Sequence, residues 1–260
     1  MYQYIYDGSF AGLLSTIFEI YDRKNWPDSI VKESAKQPCL FGQQVLVTTD
    51  EQKANRVWMG IGKKVSVLFQ TNLYHTYLSE KPNAEMLIYQ FMRLAFANAV
   101  NIEDNFAEDC VREIASTARQ IFREKHRMEA FIRFQKTADN LYFASIEPDF
   151  NVVPLLINHF QKRYADQQWL IYDVKRNYGI YYDLIRVTEV TLDNSNDGKA
   201  GALQNAVLQQ HETLYQDLWK LYFKSVNIQE RKNKKLHLRH MPIRYWKYLT
   251  EKQIKPEDIR

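Results

Sequence analysis

The feature that most narrows the fold of this chain is a change in its hydrophobic period at Ala130. Upstream, apolar residues recur at helical spacing: Phe10, Leu13, Leu14, Ile17, Phe18 and Tyr21 follow the capping Ser9, and Met86, Leu87, Phe91 and Leu94 follow Asn83. The spacing predicts helices from Phe10 to before Asn25-Trp26-Pro27, from Asp50 towards Lys64, over 66–79, over 83–100, and from Glu103 to Glu129. Only the runs 2–6 and 40–48 look like strands there. Downstream the period shortens. Runs 131–134 and 141–146, joined by a polar turn at 138–140, read as a hairpin. A helix over 152–164 follows, with Pro154 tolerable in its first turn, then strands over 169–173, 179–183 and 185–190. Residues 193–199 read as a loop, 201–226 as a long helix, and Pro242 as the start of a short helix through Tyr248. The expectation is an α+β fold: a mainly helical lobe over 1–129, and a lobe over 130–260 with an antiparallel ββαβββ sheet and C-terminal helices, the two being separate or one continuous domain.

Charge is unevenly spread. Between Gln229 and Leu249 stand seven Lys or Arg against one acid, Glu230, a local net charge of +6, although the chain of 260 residues carries only +4. Tyr245, Trp246 and Tyr248 lie just behind the basic run. Cations that displace counterions from phosphates, beside rings that stack on bases, are what nucleic-acid binding requires. Arg231, Lys232, Lys234, Lys235, Arg239, His240 and Arg244 are therefore candidate phosphate ligands, and Tyr245 or Trp246 candidate stacking residues. The alternative is a solvated amphipathic tail whose aromatics pack on the body. His126-Arg127, at the end of the long helix, either complements its C-terminal dipole or binds phosphate together with Arg133.

Four carboxylates stand at strand ends: Glu147, Asp149, Asp173 and Asp183. Pro148-Asp149 followed by Asp173-Val174-Lys175 fits the PD…(D/E)xK pattern of metal-dependent nucleases, in which Asp149 and Asp173 would hold Mg²⁺ and Lys175 would stabilise developing charge. The opposing reading has Asp149 capping the 152–164 helix and Asp173 and Asp183 pairing with Lys175, Arg176 or Arg186 across the sheet. Gly-rich phosphate loops, GxSxG and HExxH are missing. Cys39 and Cys110 lie too far apart for a local metal knuckle and fit a reduced protein. No apolar run reaches the about 18 residues of a membrane span, and MYQYIYDGSF lacks the pattern of a signal peptide. The expected location is the cytoplasm, with no membrane partner.

Several of these stretches together resemble a known family. They are Tyr6-Asp7-Gly8-Ser9-Phe10 with Gly12-Leu13-Leu14, His126-Arg127-Met128, Glu147-Pro148-Asp149, Trp169-Leu170-Ile171-Tyr172-Asp173, and Arg231-Lys232-Asn233 leading to Met241-Pro242-Ile243-Arg244-Tyr245-Trp246. The chain is similar over nearly its whole length to an uncharacterised bacterial family labelled "probable DNA metabolism protein". The resemblance implies a role near DNA, since members occur alone or fused ahead of a uracil-DNA-glycosylase-like domain, and beside a radical S-adenosylmethionine protein. It implies no catalytic residue, and the family pattern carries Arg at the position of Lys175.

The expected function is a DNA-binding accessory or damage-recognition protein in repair or modification, with DNA as partner and no cofactor. A radical S-adenosylmethionine protein or a uracil-DNA-glycosylase-like protein is the protein partner that the resemblance implies. The alternatives are a metal-dependent nuclease or base-releasing enzyme using Mg²⁺, and an interaction module docking on a repair enzyme.

Overall fold

A computed structural model describes residues 2–35, 42–137, 140–191 and 238–252. The predicted loop at 193–199, the helix at 201–226, Cys39, and Arg231, Lys232, Lys234 and Lys235 lie outside the described residues. The chain is α+β and divides into two compact units, Met1–Phe122 and Arg123–Arg260.

The first unit is built on a small parallel sheet. Strands β1 (Tyr2–Tyr6), β2 (Ser29–Lys32) and β3 (Gln43–Leu46) lie in the order β2-β1-β3, with β1 paired in parallel on both sides. Parallel neighbours need a crossover, and helix α1 (Phe10–Arg23) supplies the one between β1 and β2. Its start was legible: Ser9 Oγ accepts from the Gly12 backbone N–H at 2.9 Å. Leu13, Ile17 and Ile20 on one face of α1 are fully buried, as are Tyr4 and Tyr6 of β1.

Helices α2 (Glu51–Gly62), α3 (Val67–Leu78) and α4 (Ala84–Ala97) complete this core. The Asp50 carboxylate accepts from the backbone N–H groups of Gln52 and Lys53, and Ser66 Oγ from that of Phe69. Phe69 and Phe91 stack with ring centroids 4.6 Å apart. The periodicity predicts a half with little strand, and β2 is the addition. Its four residues are too few to show a period, so only pairing with β1 defines it.

Helix α5 runs Asp109–Phe131, two residues beyond the predicted end. The run 131–134 is consequently no strand. Phe131 belongs to the helix, and the hairpin partner is the two-residue β4 (Gln135–Lys136), antiparallel to β5 (Tyr142–Ile146). Met128 and Ile132 are buried one turn apart, so the helical period outlasts Glu129 and overlaps the run that reads as a strand.

In the second unit the sheet order is β4-β5-β6-β7-β8, where β6 is Trp169–Asp173, β7 Tyr178–Tyr182 and β8 Val187–Val190. The expected antiparallel sheet is in fact mixed: β5 and β6 are parallel and the other neighbours antiparallel. Helix α6 (Val153–Arg163) is the reason, because it carries the chain back between β5 and β6 and so sets them parallel. Central β6 is buried at all five positions, which accounts for its near-continuous apolar run. Gly179 of β7 allows that packing, since a Cβ there would sit 2.5 Å from the Ile171 carbonyl oxygen of β6. The C-terminal part adds a helical turn at 238–240 and 3-10 turns at Ile243–Tyr248 and Thr250–Lys252. Among the described residues no helix is long and apolar enough to cross a membrane.

Candidate nucleic-acid interface

The second unit gathers most of the described candidates around the end of α5, the strand-end turns after β5 and β6, and the Ile243–Tyr248 turn. Glu124 of α5 is the organising group. It is 2% exposed and saturated: Oε1 accepts from the Asp149 backbone N–H at 2.9 Å and from the Tyr245 hydroxyl at 2.7 Å, and Oε2 from Arg244 Nη2 at 3.1 Å. A carboxylate taken out of water is tolerable only when paired and hydrogen-bonded in this way. Arg244 Nη2 also lies 2.8 Å from Asp149 Oδ2, donates to the Tyr245 hydroxyl at 2.6 Å, and the guanidinium covers the Tyr245 ring.

Two expected roles change here. Tyr245, expected as a stacking surface, is 3% exposed, and its hydroxyl is committed to Glu124. Burial and the adjoining Glu124 carboxylate push its phenol far above the ordinary tyrosine range. Arg244, expected as a phosphate ligand, neutralises Glu124 and Asp149. Both residues anchor the C-terminal turn. Lys247 and Tyr248 extend the anchor by donating to Glu147 Oε2, and those two bonds hold the Glu147 carboxyl below its usual range. Trp246 is half-buried, donates from Nε1 to the Met241 carbonyl at 3.1 Å, and has the Lys252 ammonium over its ring.

The nuclease constellation is brought close but not opened. Asp173 is completely buried. Its Oδ1 accepts from the backbone N–H groups of Lys175 and Arg176, and Oδ2 accepts from Arg176 Nη1 at 2.8 Å. Burial pushes its carboxyl up while Arg176 and the two N–H groups pull it back. Lys175 Nζ donates to the Asp149 carbonyl oxygen at 3.3 Å. The Asp173–Arg176 pair lies within the turn after β6, not across the sheet, and Asp183 likewise caps its own turn through the N–H groups of Ile185 and Arg186. Val152, not Asp149, is the N-cap of α6. Among the described residues no group of three or more His, Cys, Asp or Glu is placed to hold a metal ion.

The remaining basic candidates are partly or fully exposed. Arg127 Nη2 donates to the backbone carbonyl of Arg239 at 3.4 Å, joining two stretches 112 residues apart, and His126, Arg239 and His240 are exposed. His126 lies 3.8 Å from Glu129. Arg133 turns back onto the carbonyls of Ala130 and Ile132, so it tethers the end of α5.

Sequence reasoning missed a pocket of about 600 Å³ in this unit. It is lined by residues from the end of α5, by Phe134, by His159, Phe160, Arg163 and Tyr164 of α6 and its end, by Tyr142 and Trp169 at the edges of β5 and β6, and by Thr250. Trp169 is fully buried, and its indole N–H has no acceptor among the described residues, a lack worth about 1–3 kcal/mol. The only local signal was an aromatic pair at i, i+4, Phe160 and Tyr164.

Fold and site define an α+β protein in which buried Glu124 anchors the C-terminal turn, with exposed Arg239 and His240 near Arg127. Residues 82–251 match the family described as DUF4130, a domain of unknown function, and the chain belongs to that family. No curated protein matches it.

Proposed function

We propose that this protein binds DNA as an accessory or damage-recognition module, holding the phosphate backbone on the ridge of Arg127, Arg239, His126 and His240. One observation carries the reading. Two basic stretches singled out independently in the sequence are joined by the Arg127–Arg239 contact, so their charges add at one place. The four cations of 231–235 belong to the same basic run of the sequence as Arg239. The resemblance to the "probable DNA metabolism protein" family favours DNA over RNA. It also favours a radical S-adenosylmethionine protein or a uracil-DNA-glycosylase-like protein as the enzyme this module serves. Arg244 and Tyr245 belong to the anchor that presents the ridge.

Fluorescence anisotropy with labelled single-stranded and duplex DNA over a salt series tests this. Arg127→Ala with Arg239→Ala is expected to weaken binding of every sequence and to flatten the log–log salt slope on duplex by about 0.9 for each phosphate no longer neutralised. Unchanged affinity and slope, or no binding by wild type at low salt, overturns the reading. Binding to a repair enzyme but to no oligonucleotide would select the docking module. A denaturing gel of the same samples with Mg²⁺ should show intact strands.

A further inference from the structure

We propose that the pocket beside the end of α5 is a nucleotide site that takes one unstacked nucleobase with its 5′-phosphate. It rests on the DNA reading only for the choice of ring. The volume of about 600 Å³ falls within the roughly 300–1,000 Å³ of small-ligand sites. Its walls combine Phe134 and Tyr164, whose rings meet edge to face at 5.3 Å, with Trp169 as a buried floor. Phe134 and Tyr164 are partly exposed, and Tyr164 already lies parallel to Phe160 with ring centroids 6.0 Å apart, so a planar guest would extend an existing aromatic stack, as stacking on bases demands.

Charge decides what kind of guest. An aromatic cage with a free carboxylate would suit a quaternary ammonium group. Here the one lining carboxylate, Glu129, is already held by the Lys125 ammonium at 3.0 Å and faces His159 Nδ1 at 3.8 Å. Of the two lining arginines, Arg133 is half-buried against backbone carbonyls and Arg163 is exposed, with its guanidinium 5.8 Å from the centre of the Tyr164 ring. A ring to stack on Tyr164 and an anion to reach Arg163 are the two parts of a nucleoside monophosphate. The base could come from a free nucleotide or from an unpaired position in a bound strand.

The test uses the full chain and two probes. Calorimetric titration with adenosine and thymidine 5′-monophosphates, and with the nucleosides, reads free nucleotide. An oligonucleotide with 2-aminopurine at a single-base bulge reads an unpaired base. Arg163→Gln should weaken the monophosphates about tenfold while leaving the nucleosides little changed, since the phosphate then loses the exposed guanidinium, and the other lining guanidinium, Arg133, is turned onto the Ala130 and Ile132 carbonyls. Tyr164→Ala should weaken both by a similar factor and restore 2-aminopurine emission. Arg163 is a surface residue, so its variant decides the matter should Tyr164→Ala fail to fold. Monophosphate binding with these effects makes the free nucleotide a sufficient ligand. Binding seen only with the bulged strand, and abolished in the variants, makes the strand the source. Insensitivity of both probes to Arg163→Gln, or no binding of either, overturns the site. A blunt duplex engages the ridge alone and a mononucleotide the pocket alone, so the two proposals fail separately.

Discussion

Asp173 shows how a residue that fits a catalytic pattern can belong to the architecture. Its carboxylate is spent on two backbone N–H groups and on Arg176, itself nearly buried. Removing one partner of such a pair leaves an uncompensated charge and two unmet donors, a loss of about 3 kcal/mol or more. Asp173→Ala should therefore shift the urea midpoint downwards while leaving DNA affinity of the folded fraction unaltered. A nuclease would show the reverse, abolished cleavage at unchanged stability. The motif was readable in sequence. Its occupancy was not, because the pattern says which groups are near and nothing of how many donors each already serves.

At the scale of elements, the 3-10 turn Ile243–Tyr248 is held by local geometry and by pairs that reach far along the chain. Glu147 is the titratable partner, held below its ordinary range by Lys247 and Tyr248. A depressed folded value means stabilisation present above the unfolded carboxyl value of about 4.3 and lost as pH falls through the lower folded value. Acidification below about pH 4 should thus loosen the turn, seen as a change in Trp246 emission that Glu147→Gln suppresses. Glu147 is partly exposed, so solvent screening keeps the effect under about 1 kcal/mol. A pH titration identical in Glu147→Gln and wild type would remove Glu147 from this role. The helices behave differently. Ser9 and Asp50 cap as their positions imply, and Ser66 caps α3 in the same way, because a cap bond spans only two or three residues.

For the molecule as a whole, the C-terminal segment is both a charged surface and a piece of core. Tyr245 and Leu249 are buried in the second unit beside displayed Arg239 and His240. Each buried side chain contributes about 1.5–3 kcal/mol, so deletion of residues 238–260 should cost at least roughly 3–6 kcal/mol, and more because it strips buried Glu124 of Arg244 and Tyr245. The expected result is a large drop in the urea midpoint together with abolished DNA binding. Substitution of surface cations should affect binding alone. An unchanged midpoint after deletion would mean that the segment is not part of the core.

Composition and period by themselves determined the α+β class, the positions of α1, α2, α3, α4 and α6, the caps of the first two, and the separation of a cationic stretch from a near-neutral body. These follow from interactions within one or two turns of chain, where neighbouring residues settle the outcome. Tertiary structure alone decided that β1, β2 and β3 form a parallel sheet, that α6 sets β5 parallel to β6, and that Tyr245 turns inwards to Glu124, 121 residues away. It also assembled the pocket from α5, α6, two strands and Thr250. Each of these is a pairing or a burial between distant segments, and its energy comes from a partner that no local window of sequence contains.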